Sequence, residues 1–189
     1  MRDKFLLEQL KKHGYINSSN DKIVALGLKR IGNVLIDIVM ACFCAWFWGD
    51  ILVGIFFEAG FYLLRVYAGG AHATTEKMCK YLTFGSTILS IILVFFLPAE
   101  RYILHGIFIF SVVLVTVLAP VESCNKPLTE REKSVYYRRC LYILAFEIAI
   151  YVLSYNLGLV LYARAICYSL VVVTIGMLIG KLLNKRVDR

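Results

Sequence analysis

Six long apolar stretches separated by short polar loops dominate this sequence. They cover approximately residues 31–48, 51–66, 81–97, 102–119, 140–156 and 160–180. A helix needs about 20 residues, within a range of about 17–25, to cross the hydrocarbon core of a bilayer. All but the second stretch reach that range. The pattern therefore predicts an all-α integral membrane protein with about six transmembrane helices.

The composition agrees with a membrane location. Hydrophobic residues make up 60% of the 189 residues, whereas a soluble domain has about 45–50%. The formal net charge is +8, which on a soluble protein would favour nucleic-acid binding. Here the basic residues lie between apolar stretches, so we expect them to face anionic lipid and expect no nucleic-acid partner.

The positions of lysine and arginine predict the orientation. All but two of the 21 basic residues fall in the amino-terminal segment, the second-to-third and fourth-to-fifth loops, and the tail; the exceptions are Arg101 and Arg164. The positive-inside rule then places both termini in the cytoplasm. We predict an amphipathic cytoplasmic segment over residues 1–30, which lies on the membrane or docks a substrate. Residues 31–180 are predicted to form a transmembrane domain with cytoplasmic loops at 65–80 and 120–139, and residues 181–189 a basic tail.

One predicted cytoplasmic loop combines a histidine, a cysteine and a glycine pair. On one straight helix His72 and Cys79 would lie about 10.5 Å apart, too far for proton transfer. A working pair needs a chain reversal, which Gly69 and Gly70 would permit. If a helix starts near Cys79, its amino-terminal dipole, Lys77 and Lys80 would favour the thiolate. The spacing alone leaves a packing role open.

The sequence shows no signal for a metal, another cofactor or a disulfide framework beside this loop. A metal site would need a third and fourth ligand beside His72 and Cys79, and none clusters there. The six cysteines contain no CxxC pair, and most fall in helices or on the predicted cytoplasmic side. We therefore expect no metal, no other cofactor and no disulfide framework.

Three carboxylates fall inside the apolar stretches: Asp37, Glu58 and Glu147. Buried ionisable groups in a membrane are usually functional or paired, and we favour structural pairing, with Asp37 a candidate partner for Arg65. A non-enzymatic protein, such as a small transporter or an assembly factor, remains the alternative, with these groups lining a polar path. A lipid-modifying enzyme is less favoured because no acidic metal-binding motif is present. His105, in the fourth stretch, is predicted to be a helix-packing residue.

Two motifs carry a resemblance to a known family. Arg65, Gly69-Gly70, His72-Ala73 and Cys79, together with the stretch 119–128, resemble the accessory gene regulator protein B family. These are membrane peptidases of Gram-positive quorum sensing. The length, the six-span plan and the basic loops fit the same family.

The resemblance implies a specific activity. Cys79 would be the nucleophile and His72 the general base of a cysteine endopeptidase that removes the carboxyl-terminal tail of a short precursor signal peptide. A thiol or hydroxyl of the peptide would then attack the Cys79 thioester, giving a thiolactone or lactone. Residues expected to bind substrate or order the loops are Arg65, Gly69, Gly70, Lys126 and Pro127. Arg65 would hold the acidic tail or fix the loop through a carboxylate, or it would be an interfacial arginine that snorkels. Lys126 would bind the acidic tail or belong to a plain inside-facing charge cluster. The resemblance also implies a homodimer.

Overall fold

The computed structural model describes residues 21–71, 75–97, 100–122 and 128–187. This part of the chain forms six α-helices: α1 Asp21–Phe47, α2 Ile51–Ala68, α3 Glu76–Phe96, α4 Arg101–Leu118, α5 Glu130–Asn156 and α6 Val160–Val187. Its only extended pairing is an isolated parallel bridge between Gly69 and Val121. The all-α architecture predicted from the sequence is confirmed.

Five of these helices, α2 to α6, are long and apolar enough to cross a membrane. Their surfaces carry many exposed large apolar side chains, such as Ile109, Phe110 and Val117 on α4, as expected where lipid replaces water. The first predicted span lies in α1, which is not among the five. Residues 21–30, assigned from the sequence to the amino-terminal segment, share this continuous helix with the predicted span. The protein is therefore a multi-pass membrane protein.

Two compact units divide the chain, residues 1–40 and residues 41–189. Of the first unit the structure describes residues 21–40. They are helical, and their exposed side chains include Ile23, Leu26, Ile31 and Val39.

The second unit begins with a tight helical hairpin between the end of α1 and the start of α2. Gly49 adopts φ +105°, and the Asp50 side chain caps α2 by accepting the Leu52 amide at 2.9 Å. A Cβ atom on Gly54 would lie 2.6 Å from the Ala41 carbonyl oxygen. Glycine is thus required at position 54 for this close approach between helices, which is typical of membrane packing.

Helix α6 is the centre of the bundle and contacts α2, α3, α4 and α5. Its buried face combines small and apolar residues, and its hydroxyl groups bond within the helix: Ser169 donates to the Ile166 carbonyl and Thr174 to the Leu170 carbonyl, both at 2.8 Å. The hydroxyls are thus satisfied where water is excluded. The buried apolar residues of α6 are Ala163, Ala165, Ile166, Cys167, Tyr168, Leu170, Val173 and Met177.

Two of the three predicted intramembrane carboxylates lie in this core. Glu58 on α2 is 1% exposed, and its Oε1 accepts a hydrogen bond from Thr87 on α3 at 3.1 Å. Glu147 on α5 is 3% exposed, and neither of its oxygens has a hydrogen-bond partner within the described chain. Structural pairing is therefore found at Glu58 and not at Glu147. A pair between Asp37 and Arg65 would join the two units and stays a prediction.

A cluster of ring-bearing side chains ties α4 to α5 near the α5–α6 turn. His105 Nδ1 lies 2.8 Å from the Tyr151 hydroxyl, and its ring packs against Tyr155. Phe108 stacks on Tyr151 with a centroid separation of 3.7 Å, and the Arg101 guanidinium lies over Tyr155. We call these five residues the aromatic cluster: Arg101, His105, Phe108, Tyr151 and Tyr155. The predicted packing role of His105 is confirmed.

Candidate active site

The chain reverses directly after α2, at the glycine pair noted in the sequence. Gly69 ends the helix with φ +73°, and its amide donates to the Arg65 carbonyl. Gly70 follows with φ +125°. A Cβ on Gly69 would overlap the Val121 carbonyl oxygen, and one on Gly70 would overlap the Arg65 guanidinium. Both backbone angle and space therefore require glycine at these two positions.

Main-chain hydrogen bonds fix the segment after the reversal. The Val121 amide donates to the Ala68 carbonyl at 2.9 Å, and the Gly70 amide donates to the Val121 carbonyl at 3.3 Å. One residue further on, the Ala71 amide donates to the Gly176 carbonyl of α6 at 2.8 Å. We call residues 68–71 with Val121 and Gly176 the junction. It joins the α2–α3 loop, the α4–α5 loop and α6.

The half-buried Arg65 completes the junction from within α2. Its guanidinium donates one hydrogen bond to the Gly69 carbonyl and a second to the Ala71 carbonyl. The planar fork of an arginine suits such a two-point contact. The sequence suggested that Arg65 holds an acidic substrate or orders the loop through a carboxylate. In the structure it holds the loop directly, through main-chain carbonyls.

Helix α3 begins with Thr75 as its N-cap, which places Cys79 in the first helical turn. The Thr75 hydroxyl accepts the Met78 amide at 3.2 Å, and the Thr75 carbonyl accepts the Cys79 amide at 3.0 Å. Cys79 is a free, partly exposed thiol. It lies close enough to Arg65 for the two side chains to interact electrostatically. Lys77 is exposed on the same turn.

Three of the predicted site residues, His72, Lys126 and Pro127, lie outside the described residues, so their assigned roles stay predictions. The residues on either side of positions 72–74 have described contacts. Ala71 is held by Arg65 and Gly176, and Thr75 caps α3. Because α2 ends at Ala68 and α3 begins at Glu76, the predicted break between the histidine and the cysteine is present.

The α4–α5 loop is anchored on both sides of its undescribed part. Before it, the Glu122 carbonyl accepts a hydrogen bond from the Asn184 side chain of α6 at 2.7 Å. The Glu122 carboxylate forms an ion pair with Lys133 at 2.7 Å. After it, Thr129 and Glu132 form a capping box that starts α5.

A shallow, open basic crevice lies on one exposed face of α5, lined by Val135, Arg138, Arg139 and Tyr142. Arg139 also lies over the Tyr67 ring, 5.7 Å from its centroid. Tyr67 is one residue before the end of α2, so the crevice adjoins the junction. These arginines belong to the predicted loop 120–139, but no motif in the sequence singled them out.

Within the described chain, no group of three histidine, cysteine or acidic side chains could hold a metal ion. The chemistry available to the described part of the site is therefore that of a thiol, an arginine and main-chain amides. The residues that sequence reasoning missed are Val121, Gly176, Gly180 and Asn184. Val121 lies in the stretch 119–128 that carries the family resemblance but was not singled out there, and the signal for the two glycines was their four-residue spacing near the end of the last apolar stretch.

The fold and the site together define a polytopic helical membrane protein with a partly exposed cysteine at a helix amino terminus. The chain belongs to the accessory gene regulator B family, whose model matches residues 4–179. The family links it to processing of the quorum-sensing peptide of the accessory gene regulator system.

Two similar proteins come from Clostridium perfringens. A putative AgrB-like protein of strain SM101 (Type A) is 28% identical over 170 residues, covering 82% of this chain and 78% of the relative. Putative AgrB-like protein 2 of strain 13 (Type A) has the same identity and coverage. No solved structure matches the chain.

Proposed function

We propose that this protein is a membrane cysteine endopeptidase that removes the carboxyl-terminal tail of a short precursor signal peptide and closes the remaining peptide into a thiolactone or lactone. The observation that carries the proposal is the placement of Cys79. It lies in the first turn of α3 and interacts electrostatically with Arg65, whose guanidinium also holds the loop that ends at Ala71, one residue before His72 in the sequence. The family's link to peptide processing supports the same activity.

The reaction begins with activation of the thiol. His72 takes the proton of the Cys79 thiol, which lies in the first turn of α3 and interacts electrostatically with the Arg65 guanidinium. The sulfur attacks the carbonyl carbon at the cleavage site. Amides of the first helical turn can stabilise the resulting oxyanion, although those of Met78 and Cys79 already bond to Thr75.

Collapse of this intermediate breaks the carbon–nitrogen bond. The tail leaves as a free amine that carries the proton from His72, and the peptide stays on Cys79 as a thioester. A thiol or hydroxyl of the peptide then attacks the thioester carbonyl, which closes the ring and returns the proton to the Cys79 sulfur. No oxidant or cofactor is needed. A pocket that excludes water would keep hydrolysis from competing with ring closure.

Basic groups around the site suit an acidic substrate tail. Arg138 and Arg139 line the crevice beside the junction, and Lys126 belongs to the same loop. By the positive-inside rule this end of the bundle faces the cytoplasm, where a newly made precursor would meet it. The proposed assembly is a homodimer in the cell membrane, with both termini cytoplasmic.

Coexpression of the protein with its precursor peptide tests the activity. Cys79→Ala and Cys79→Ser should abolish tail removal, whereas Cys42→Ser and Cys124→Ser should retain it. A peptide adduct that hydroxylamine releases should form on the wild type and be absent from Cys79→Ala. Tail removal that persists in Cys79→Ala would exclude Cys79 as the nucleophile.

A second candidate function rests on Glu147. A buried carboxyl group without a hydrogen-bond partner in the described chain is unusual in a membrane core and would suit a small transporter with a polar path. The two functions separate in one experiment. Glu147→Gln should leave peptide cleavage intact if the protein is a peptidase, and solute or ion flux in proteoliposomes should be absent.

A further inference from the structure

One row of α6 faces the proposed active site at successive helical turns. Gly176, Gly180 and Asn184 are spaced four residues apart and so lie on the same side of the helix. Gly176 accepts the Ala71 amide through its carbonyl, and Asn184 donates to the Glu122 carbonyl. Gly180 lies between them. The three residues therefore contact both loops of the site.

Gly180 allows the closest of these approaches. A Cβ atom on Gly180 would lie 2.6 Å from the Ala71 nitrogen and 2.7 Å from the Gly70 carbonyl carbon. Both are main-chain atoms, which cannot rotate away. At Gly176 a Cβ would instead lie 3.1 Å from the Arg65 guanidinium, the flexible end of a side chain. Position 180 is thus far more restrictive than position 176.

Two glycines four residues apart in an apolar helix commonly mark a contact between membrane helices. In this protein the groove that they form is filled by the chain's own segment Gly70–Ala71. The filling segment is held at both ends: its amides bond to Val121 and Gly176, and its Ala71 carbonyl bonds to Arg65. The groove therefore holds a loop of the same chain.

We propose that the Gly176–Gly180–Asn184 row of α6 positions the reacting groups of the proposed peptidase. Ala71 directly precedes His72 in the sequence, so the groove fixes the main chain one residue before the proposed base. Helix α3, which carries Cys79, packs on α6 as well. The segment that leads to the proposed base and the helix that carries the nucleophile therefore both pack on α6. The described contacts of this row are with main-chain atoms of the two loops, and we assign its members as positioning residues.

This inference rests on the proposed function, and two readouts keep them separate. The first is amide hydrogen exchange of the purified full-length protein, followed by mass spectrometry over the peptide that contains Gly70 and Ala71. The second is tail cleavage of the precursor, resolved into kcat and KM. The variants are Gly180→Ala, Gly180→Val and Gly176→Ala. The matched control is Gly106→Ala on α4, where a Cβ would meet no atom within 4 Å.

We expect Gly180→Ala to raise exchange at Gly70 and Ala71 by about tenfold, because the two amides lose their fixed partners. Its kcat should fall by about tenfold, with KM for the precursor and the alkylation rate of Cys79 unchanged. Gly180→Val should have a larger effect, Gly176→Ala a smaller one, and Gly106→Ala none. If Gly180→Val fails to fold, the graded effects of the alanine variants still test the proposal.

Wild-type exchange in Gly180→Ala, or raised exchange with unchanged kcat, would overturn the positioning role. A change of oligomeric state with unchanged exchange would instead assign the two glycines to a subunit contact and would also overturn it. If exchange rises in Gly180→Ala but the wild-type protein cleaves no precursor, the docking of the loop stands and the proposed function fails.

Discussion

The two ends of the helical bundle are held together by different kinds of contact. At the junction, four main-chain hydrogen bonds and the Arg65 guanidinium fix the segment around Gly69 and Gly70. At the other end, the aromatic cluster joins α4 to α5 through rings, a side-chain hydrogen bond and a cation–π contact. The first end depends on the position of the backbone, and the second depends on the bulk of side chains.

This difference implies that the junction positions the site, whereas the aromatic cluster stabilises the fold. Main-chain contacts made through glycine tolerate almost no added atom, because the positive φ angle disfavours other residues and neighbouring atoms already fill the space of a Cβ. Ring stacking contributes about 0.5–1.5 kcal/mol per pair beyond burial and tolerates small shifts. We therefore expect changes at the junction to reduce activity more than stability, and changes in the aromatic cluster to do the reverse. Three variants test this contrast.

The largest effect is expected for Gly69→Val. Valine rarely adopts φ +73°, a conformation that costs about 1–3 kcal/mol, and its side chain would overlap the Val121 carbonyl. Tail cleavage should fall by about a hundredfold or more, measured as the single-turnover rate in proteoliposomes. Gly85→Val on α3, where a Cβ meets no atom within 4 Å, is the control. Cleavage by Gly69→Val at the wild-type rate would show that the reversal is not needed.

A smaller loss is expected for Arg65→Lys. A lysine keeps the positive charge near Cys79 but cannot span the Gly69 and Ala71 carbonyls with a planar fork. The cleavage rate should fall by about tenfold, while the alkylation rate of Cys79 stays at its wild-type value. Arg65→Gln serves as the comparison without charge. Full activity in Arg65→Lys with loss in Arg65→Gln would mean that charge, and not loop geometry, is what Arg65 contributes.

The smallest effect is expected at the opposite end, for Tyr151→Phe. The change removes the hydrogen bond between the tyrosine hydroxyl and His105 and should lower stability by about 1 kcal/mol. Thermal unfolding in detergent measures it, and tail cleavage should stay unchanged. Tyr102→Phe on α4, at a tyrosine that is 84% exposed, is the matched control. A drop in cleavage without a drop in stability would contradict the separation of the two ends.

Much of the fold could be predicted because lipid imposes a minimum length on apolar helices. Hydropathy located the membrane portions but missed the polar turns that extend them. The fifth stretch was placed at 140–156, whereas α5 begins at Glu130. Its start is signalled by the Thr129–Glu132 capping box, a pattern of side-chain and backbone hydrogen bonds that hydropathy does not register. Helix α6 likewise continues to Val187, past the predicted end at residue 180, through a turn that contains lysine, asparagine and arginine.

The site was predictable only in its local part. The reversal at Gly69 and Gly70 and the helix start near Cys79 follow from backbone preferences of neighbouring residues. The partners of that reversal, Val121 and Gly176, lie far along the chain and meet it only through tertiary packing. The same reason explains why the sequence did not predict that Arg65 donates to the main-chain carbonyls of Gly69 and Ala71.

Arg65 donates its hydrogen bonds to main-chain carbonyls, and this choice of partner has an evolutionary consequence. Every residue type presents a carbonyl oxygen, and every type except proline presents an amide hydrogen. Mutations that change which side chains surround the junction can therefore accumulate without altering how it is joined, provided that the glycines and the arginine persist. A lineage could in this way adapt to a new peptide while its catalytic frame stays the same.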